Sequence, residues 1–309
     1  MTPTRLFTLN FRHPLAWWAL ALAGLPSWSE AQALECENWQ SRHPEWIWCD
    51  DFENDAALES NYFQVDRAGG RFGVSNAAAF GGSRALRATF IQGDENAGGV
   101  KLSFGRTPVS PQLLQDQDFT QIYWRHYLMV PPGWIGNAMK VSRAHVFATS
   151  GWLQAAVGML WNDSESGLSL GLDPVSGVDG STVITTRYND QTVFRWLGHR
   201  SAQTQVYAPA NHGRWFCVEA HMRLNTPGQQ DGSFTLWIDG VKEAENTGIN
   251  FRGSYTAYGI NAIFLENYLN YGPSQTQSRY VDNFVVSRTR IGCTDADVRP
   301  RPVTNVTVP

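Results

Sequence analysis

Two histidines, two tyrosines, a lysine, an arginine and a pair of glutamates give this chain most of its capacity for chemistry. His145 and His221 carry imidazoles that titrate near neutrality and can either accept a proton or, once charged, neutralise a carboxylate. Tyr268 and Tyr188 offer phenolic hydroxyls, and Lys140 and Arg125 offer cations for an acidic ligand. Gln154 can hydrogen-bond a carboxylate, and Trp237 can serve as a platform for a ring. Glu219 and Glu266 could act as the acid and base of a glycoside hydrolase, although closely spaced acids alternating along one strand, the usual mark of that chemistry, are missing. Each residue also has a plainer reading. A strand histidine more often completes a hydrogen-bond network, Lys140 and Arg125 could be surface charge, and Tyr188 and Trp237 could simply pack.

The elements that must position these groups read as strands. From Trp215 to Gly240 the chain runs WFCVEAHMRLNTPGQQDGSFTLWIDG. Val218, Ala220, Met222 and Leu224 alternate with Cys217, Glu219, His221 and Arg223, the period of two that marks a half-buried strand. Turn residues then lead to Phe234, Leu236 and Ile238 alternating with Thr235, Trp237 and Asp239, so the stretch is an antiparallel hairpin with one apolar and one polar, aromatic-studded face. Further strands are expected at 85–90, 100–104, 121–130, 139–148, 152–161, 167–172, 182–188, 192–197, 258–268 and 280–287. In QIYWRHYLMV, Tyr123, Arg125 and Tyr127 share one face and Trp124, His126 and Leu128 the other; both faces carry polar groups, so the burial of that strand stays open. Strands of this length and spacing predict an all-β antiparallel sandwich or jelly roll, with no long helical period and no internal repeat.

Composition agrees. Thirteen Trp and 28 Gly among 309 residues, with only 17% charged, favour strands and tight turns. The net charge of −4 is spread along the chain and gives no reason to expect nucleic acid or an anionic membrane as partner. Arg5 and Arg12 precede an apolar run from Leu15 to Leu25 and then Ser29-Glu-Ala-Gln-Ala33, which reads as a signal peptide over 1–33. The run is shorter than the roughly 20 residues of a membrane span. The mature protein is therefore expected to be secreted or periplasmic, with one domain over 34–293 and a mobile tail over 294–309. Cys36, Cys49, Cys217 and Cys293 all lie beyond the cleavage site, where an even count suggests disulfides. Of three possible pairings, the short loop favours Cys36 with Cys49, which leaves Cys217 for Cys293. If the first and last strands lie side by side, Glu53 and Asp282 could share a Ca2+ ion, with carbonyls supplied by the Phe80-Gly-Gly-Ser-Arg84 turn.

Several of these stretches match known proteins. LNTPGQQDGSFTLWIDG with Asn250-Phe-Arg252, YWRHYLMVPPGW and YVDNFVVS resemble the alginate-lyase-type jelly roll of polysaccharide lyase family fourteen. Asp50-Asp-Phe-Glu53, Cys217-Val-Glu-Ala-His221, Glu266 with Tyr268, and Ser287 to Cys293 resemble a secreted fungal jelly-roll protein co-regulated with cellulases and, through it, glucuronan lyases. Together the resemblances span Cys49 to Cys293. They imply a concanavalin A-like jelly roll, a Cys217–Cys293 disulfide and a structural calcium at Glu53 and Asp282. They also imply a monomer that binds or cleaves a uronic-acid polysaccharide by β-elimination in a concave groove: one group neutralises the sugar carboxylate, a base takes the neighbouring proton and an acid protonates the departing oxygen. Lys140 stands at the family's lysine position, but in Lys-Val-Ser-Arg; the family's Tyr-x-Tyr falls near Leu168-Ser-Leu170, and its arginine near Ala156 or Gly158. A carbohydrate-binding jelly roll without catalysis is the alternative reading. His145, His221, Glu266 and Tyr268 converging in one groove would favour a lyase, and their scattering over both faces would count against one.

Overall fold

The computed structural model describes Met1 and residues 34–110, 113–136, 139–163 and 167–294. The expected leader, apart from Met1, and the tail beyond Thr294 lie outside the described residues. The strands, in chain order, are β1 Trp46–Asp50, β2 Gln64–Asp66, β3 Phe72–Ser75, β4 Ala85–Phe90, β5 Asn96–Ser103, β6 Gln121–Met129, β7 Met139–Phe147, β8 Gln154–Asn162, β9 Leu170–Ser176, β10 Val178–Asp179, β11 Thr182–Val183, β12 Arg195–Trp196, β13 Arg200–Ser201, β14 Phe216–Arg223, β15 Gly232–Ile238, β16 Val241–Ile249, β17 Ala262–Leu269 and β18 Gln277–Ser287.

They form two large antiparallel sheets and one small ribbon. The first sheet runs β16-β15-β14-β6-β18-β4-β3, with β1 also paired to β18; the second runs β12-β9-β8-β7-β17-β5-β2, with β13 also on β9. The ribbon is β10 with β11. Neighbours distant in sequence, such as β6 between β14 and β18, mark the crossovers of a jelly roll. This is the expected β-sandwich.

Alternation explains the core. Phe216, Val218, Ala220 and Met222 of β14, Ile122, Trp124 and Leu128 of β6, and Val281, Phe284 and Val286 of β18 turn inward from the first sheet. Val141, Ala144 and Val146 of β7, Ile263 and Leu265 of β17, and Val100 and Leu102 of β5 meet them from the second. The face of β6 that the sequence left open is thereby decided: Trp124, His126 and Leu128 are inside, and the Trp124 Nε1–H donates to Ser142 Oγ of the opposite sheet at 2.9 Å.

Arg279 of β18 crosses this core as well. Its guanidinium donates to Asn267 Oδ1 and to the backbone carbonyls of Glu266 at 2.5 Å and Lys140 at 3.3 Å. Both carbonyls belong to second-sheet segments whose register shifts, between Lys140 and Ser142 on β7 and between Glu266 and Tyr268 on β17. A bulge frees carbonyls from the ladder, and Arg279 satisfies them from behind.

Two disulfides have the expected pairing, Cys36–Cys49 and Cys217–Cys293. The first and last strands do lie side by side as β1 and β18. The expected strands at 182–188 and 192–197 shrink to the two-residue β11 and β12. Asp190 explains this: its carboxylate accepts from the Thr186 N–H and the Thr186 and Thr192 hydroxyls, and these local bonds compete with a ladder.

His126 is wholly buried, and neither ring nitrogen has a hydrogen-bond partner among the described residues. Burial, reinforced by Arg279 and Arg125, lowers its pKa from 6.5 to about 3. Above pH 6.5 the imidazole is neutral in both folded and unfolded chains; below it the unfolded chain takes up a proton that the fold refuses, so stability is lost as pH falls. Acidification from pH 6.5 to pH 5 should therefore cost the native protein about 2 kcal/mol at this residue. Denaturant unfolding of native protein and His126→Leu at the two pH values checks this, and equal pH sensitivity of both would overturn it.

Candidate functional site

One side of β7 and β17 gathers most of the chemistry. Arg143, His145 and Phe147 alternate with core-facing Ser142, Ala144 and Val146, so they point to the face of the second sheet turned away from the core. Lys140 has the opposite parity. The bulge that pairs Lys140 with Trp161 and Ser142 with Leu160 inserts Val141 as an extra residue and turns Lys140 to the same side as Arg143. Phe264, Glu266 and Tyr268 of β17 and Lys101 of β5 share that face; Phe264 sits opposite Arg143 on one side and Lys101 on the other.

Arg143 is at the centre. It is buried and holds Glu266 bidentately, its Nη2 at 2.5 Å from Glu266 Oε1 and its Nε on the other oxygen. The remaining donors reach Asn189 Oδ1 at 2.5 Å and Tyr188 Oη at 2.6 Å, both from the loop after β11. The pair keeps itself ionised: Arg143 raises its own pKa against burial through Glu266, and its charge holds Glu266 below the ordinary carboxylate range despite desolvation.

Around this pair stand two half-buried lysines. Lys101 Nζ donates to Gln64 Oε1 at 2.7 Å and lies 4.8 Å from the Trp152 ring and 5.2 Å from that of Phe264. Lys140 Nζ lies 4.4 Å from the Tyr268 ring. Burial, then the positive charge of Arg143, lowers the Lys140 pKa to about 8, and burial likewise lowers that of Lys101. Tyr268 donates its hydroxyl to Glu95, and that bond raises its pKa. The face thus carries three cations, Arg143, Lys101 and Lys140, against three carboxylates, Glu266, Glu95 and Asp66.

His145 is also here, but enclosed. Its ring stacks on Phe147 at 4.8 Å and leans on Phe264 at 4.4 Å. Gln154 Oε1 accepts the Asn189 N–H at 2.7 Å, which leaves the amide Nε2 to donate to His145 Nδ1 at 2.9 Å. The ring is consequently neutral, with its proton on Nε2, and burial holds its pKa well below 6.5. His145 and Gln154 therefore anchor the Tyr188 loop.

Four expected site residues lie elsewhere, on the outer face of the first sheet. His221 stacks on Tyr123 at 3.9 Å, and burial lowers its pKa to about 4. Glu219 accepts the N–H groups of Ile291 and Gly292 at 2.7 and 3.1 Å, and Trp237 lies under Arg290, whose guanidinium is 4.6 Å away. Arg125 is wholly buried and pairs with Glu35, its Nη1 at 2.9 Å from Oε2. On the polar face of the hairpin, Glu219 and Trp237 are capped by the segment before Cys293, which the Cys217–Cys293 bond holds in place. Of the four groups expected to converge, His145, Glu266 and Tyr268 do so and His221 does not.

Sequence reading missed Arg143, Lys101, Asn189 and Glu95. The Arg143-Ala-His145 alternation was the available signal for Arg143; the others reach the site through pairing and loops that no local pattern encodes.

At the expected cation site the 80–84 turn presents N–H groups. Glu53 and Asp282 do meet at the 80–84 turn, but the turn faces them with donors. Phe80 and Gly81 N–H groups bond Asp282 at 2.7 and 3.2 Å, and those of Ser83 and Arg84 bond Glu53 at 2.7 and 2.9 Å. Among the described residues no three His, Cys, Asp or Glu side chains form a metal cage.

Removing Glu266 would leave Arg143 buried and uncompensated. Glu266→Ala should lower stability by about 3 kcal/mol, and Arg143→Met in the same chain should recover much of it. Unfolding free energies of both variants test this; an additive loss in the double variant would overturn it.

No protein-family model and no curated protein matches the chain. Solved structures do. It is similar to the marine PL-14 alginate lyase from Aplysia kurodai, with a TM-score of 0.52, 12% identity and coverage of 78% of this chain and 98% of that one. It is similar to the alginate lyase Aly36B, with a TM-score of 0.51, 13% identity and coverage of 81% and 97%. The endo-β-1,4-glucuronan lyase from Trichoderma reesei aligns at a TM-score of 0.49 and 14% identity over 79% of this chain and 91% of that one. At these identities the likeness is one of architecture: the chain is an antiparallel jelly-roll β-sandwich.

Proposed function

We propose that this protein is an exported lyase that cleaves a uronic-acid polysaccharide by β-elimination on the outer face of the second sheet. The observation that carries the reading is the gathering of Lys101, Lys140 and Arg143 beside Tyr268 on one face. Two disulfides are in keeping with export, and the fold is shared with proteins described as alginate lyases.

Lys101, with the Arg143–Glu266 pair behind it, neutralises the sugar carboxylate and so acidifies the adjacent C–H. Lys140, whose pKa is lowered to about 8, takes that proton in its neutral form. The electron pair forms the ring double bond as the glycosidic C–O bond breaks. Tyr268, which keeps its proton because the Glu95 bond raises its pKa, donates to the leaving oxygen.

Purified protein incubated with glucuronan, alginate and other uronic-acid polymers should produce the ultraviolet absorbance of an unsaturated uronate. The rate should climb as pH rises through about 8, where Lys140 loses its proton, and should drop by roughly 100-fold or more in Lys140→Ala and in Tyr268→Phe. Binding to a polymer with no absorbance change would move the protein to the carbohydrate-binding class. That alternative draws on the enclosure of His145 and on the lack of a tyrosine pair at Leu168-Ser-Leu170.

A structural Ca2+ ion at Glu53 and Asp282 belongs to the same reading. Burial holds the Asp282 carboxyl well above its ordinary pKa, and the charge of Glu53 adds to the effect. Asn283 Oδ1 beside it is buried with no hydrogen-bond partner among the described residues. Two facing carboxylates and an orphaned amide oxygen suit a hard cation. Calcium should raise the melting temperature and a chelator lower it, with the difference abolished in Asp282→Asn; identical melting in calcium and chelator would exclude the site.

A further inference from the structure

At the far edge of the second sheet, away from Lys140, three side chains form a line. Ser201 Oγ lies 2.9 Å from His199 Nε2, and His199 Nδ1 lies 2.9 Å from Asp173 Oδ1. The backbone builds this order. β13 pairs with β9 so that Arg200 faces Leu172 and Ser201 faces Gly171, which sets His199 across from Asp173 at the next position. His199 and Ser201, two residues apart, share a face. Gly171 makes the reach possible: a Cβ there would stand 2.6 Å from His199 Cε1, so any other residue would push the imidazole off the serine.

The electrostatics suit a nucleophile. Asp173 is largely buried, with a side chain 16% exposed, while that of His199 is 37% exposed. An acceptor on Nδ1 fixes the proton there and leaves the Nε2 lone pair for the Ser201 hydroxyl, the hydrogen-bond order of a hydrolytic triad. Asp163 stands 3.6 Å from Nε2, close enough to stabilise the imidazolium once it forms. Beside the line, Trp196 is 48% exposed and packs edge-on against Trp161, with ring centres 6.2 Å apart. An exposed indole is a surface on which sugar rings stack.

We infer that Ser201, His199 and Asp173 form a second catalytic site, a serine esterase that removes acyl groups from sugar hydroxyls. Ser201 Oγ attacks the ester carbonyl as its proton passes to His199 Nε2. The sugar alkoxide leaves and takes that proton, and the acyl group stays on Ser201. Water, deprotonated by His199, then attacks the acyl-enzyme, the carboxylic acid departs and Ser201 regains its proton. The triad stands on its own geometry, whereas the sugar-ester class rests on the polysaccharide reading above.

The test separates the two. The full chain is treated with a fluorophosphonate probe and assayed with p-nitrophenyl acetate, which contains no sugar. The expected result is a single covalent adduct on Ser201 and release of p-nitrophenol that falls by roughly 100-fold or more in Ser201→Ala and His199→Asn. Ser201→Ala removes only the hydroxyl, so an unchanged melting temperature keeps the test valid should His199→Asn fail to fold. No adduct, or hydrolysis indifferent to Ser201→Ala, overturns the triad. Acetate release from acetylated uronic-acid polymers is then measured: release lost in Ser201→Ala supports the sugar-ester class, and hydrolysis of the small ester without release from any polymer overturns that class while leaving the triad in place.

Discussion

Every long strand of this protein must surrender one face to a single apolar layer between two sheets, and the rest of the structure follows from which face each gives up. Because side chains alternate with a period of two, the choice is all or nothing along a regular strand. Trp124 and Leu128 take β6 inward and carry His126 with them, leaving an imidazole with no hydrogen-bond partner among the described residues. Val218, Ala220 and Met222 do the same for β14 and send Glu219 and His221 outward. At one place the ladder is broken: a bulge in β7 lets Val141 and Ser142 both face the core and brings Lys140 round beside Arg143. Arg279, reaching across the core to the carbonyls of Lys140 and Glu266, makes that irregularity affordable.

Buried charge is handled in two different ways on the two sheets. On the outer face of the first, Arg125 is neutralised by Glu35 from the N-terminal segment, with Asn283 donating to the same carboxylate at 2.7 Å. Glu219 is likewise satisfied by backbone N–H groups near the C-terminal cysteine. These contacts are closed, since each partner belongs to a segment pinned by a disulfide. On the outer face of the second sheet, Arg143 and Glu266 are paired, yet Lys101 and Lys140 beside them remain half-exposed and rest against aromatic rings. The same sheet also presents, at its other edge, the Ser201–His199–Asp173 line and the exposed Trp196, so both candidate chemistries face the same way.

Period and turn chemistry made the hairpin at 215–240, the inward residues of β14 and β15 and the sandwich class readable from the chain, since these depend on neighbours in sequence. The short loop between Cys36 and Cys49 similarly pointed to one disulfide. The loop from 184 to 194 was misread as strand because Asp190 satisfies its hydroxyls and N–H groups locally, a competition that composition conceals.

The sequence by itself determined that this chain is an antiparallel sandwich, which residues of each regular strand share a face, and that Lys140, Glu266 and Tyr268 are candidates for chemistry. Only the tertiary structure decided which polar face is open and which is covered. His221 and His145 have equally good local patterns, but one lies beneath Tyr123 on the first sheet and the other inside an aromatic cluster on the second. Arg143, Lys101 and Asn189, and likewise Asp173 and Ser201, become neighbours through strand pairing and crossover loops. The physical reason is that alternation is a property of single strands, whereas register, bulges and the order of strands in a sheet are fixed by contacts between residues far apart in the chain.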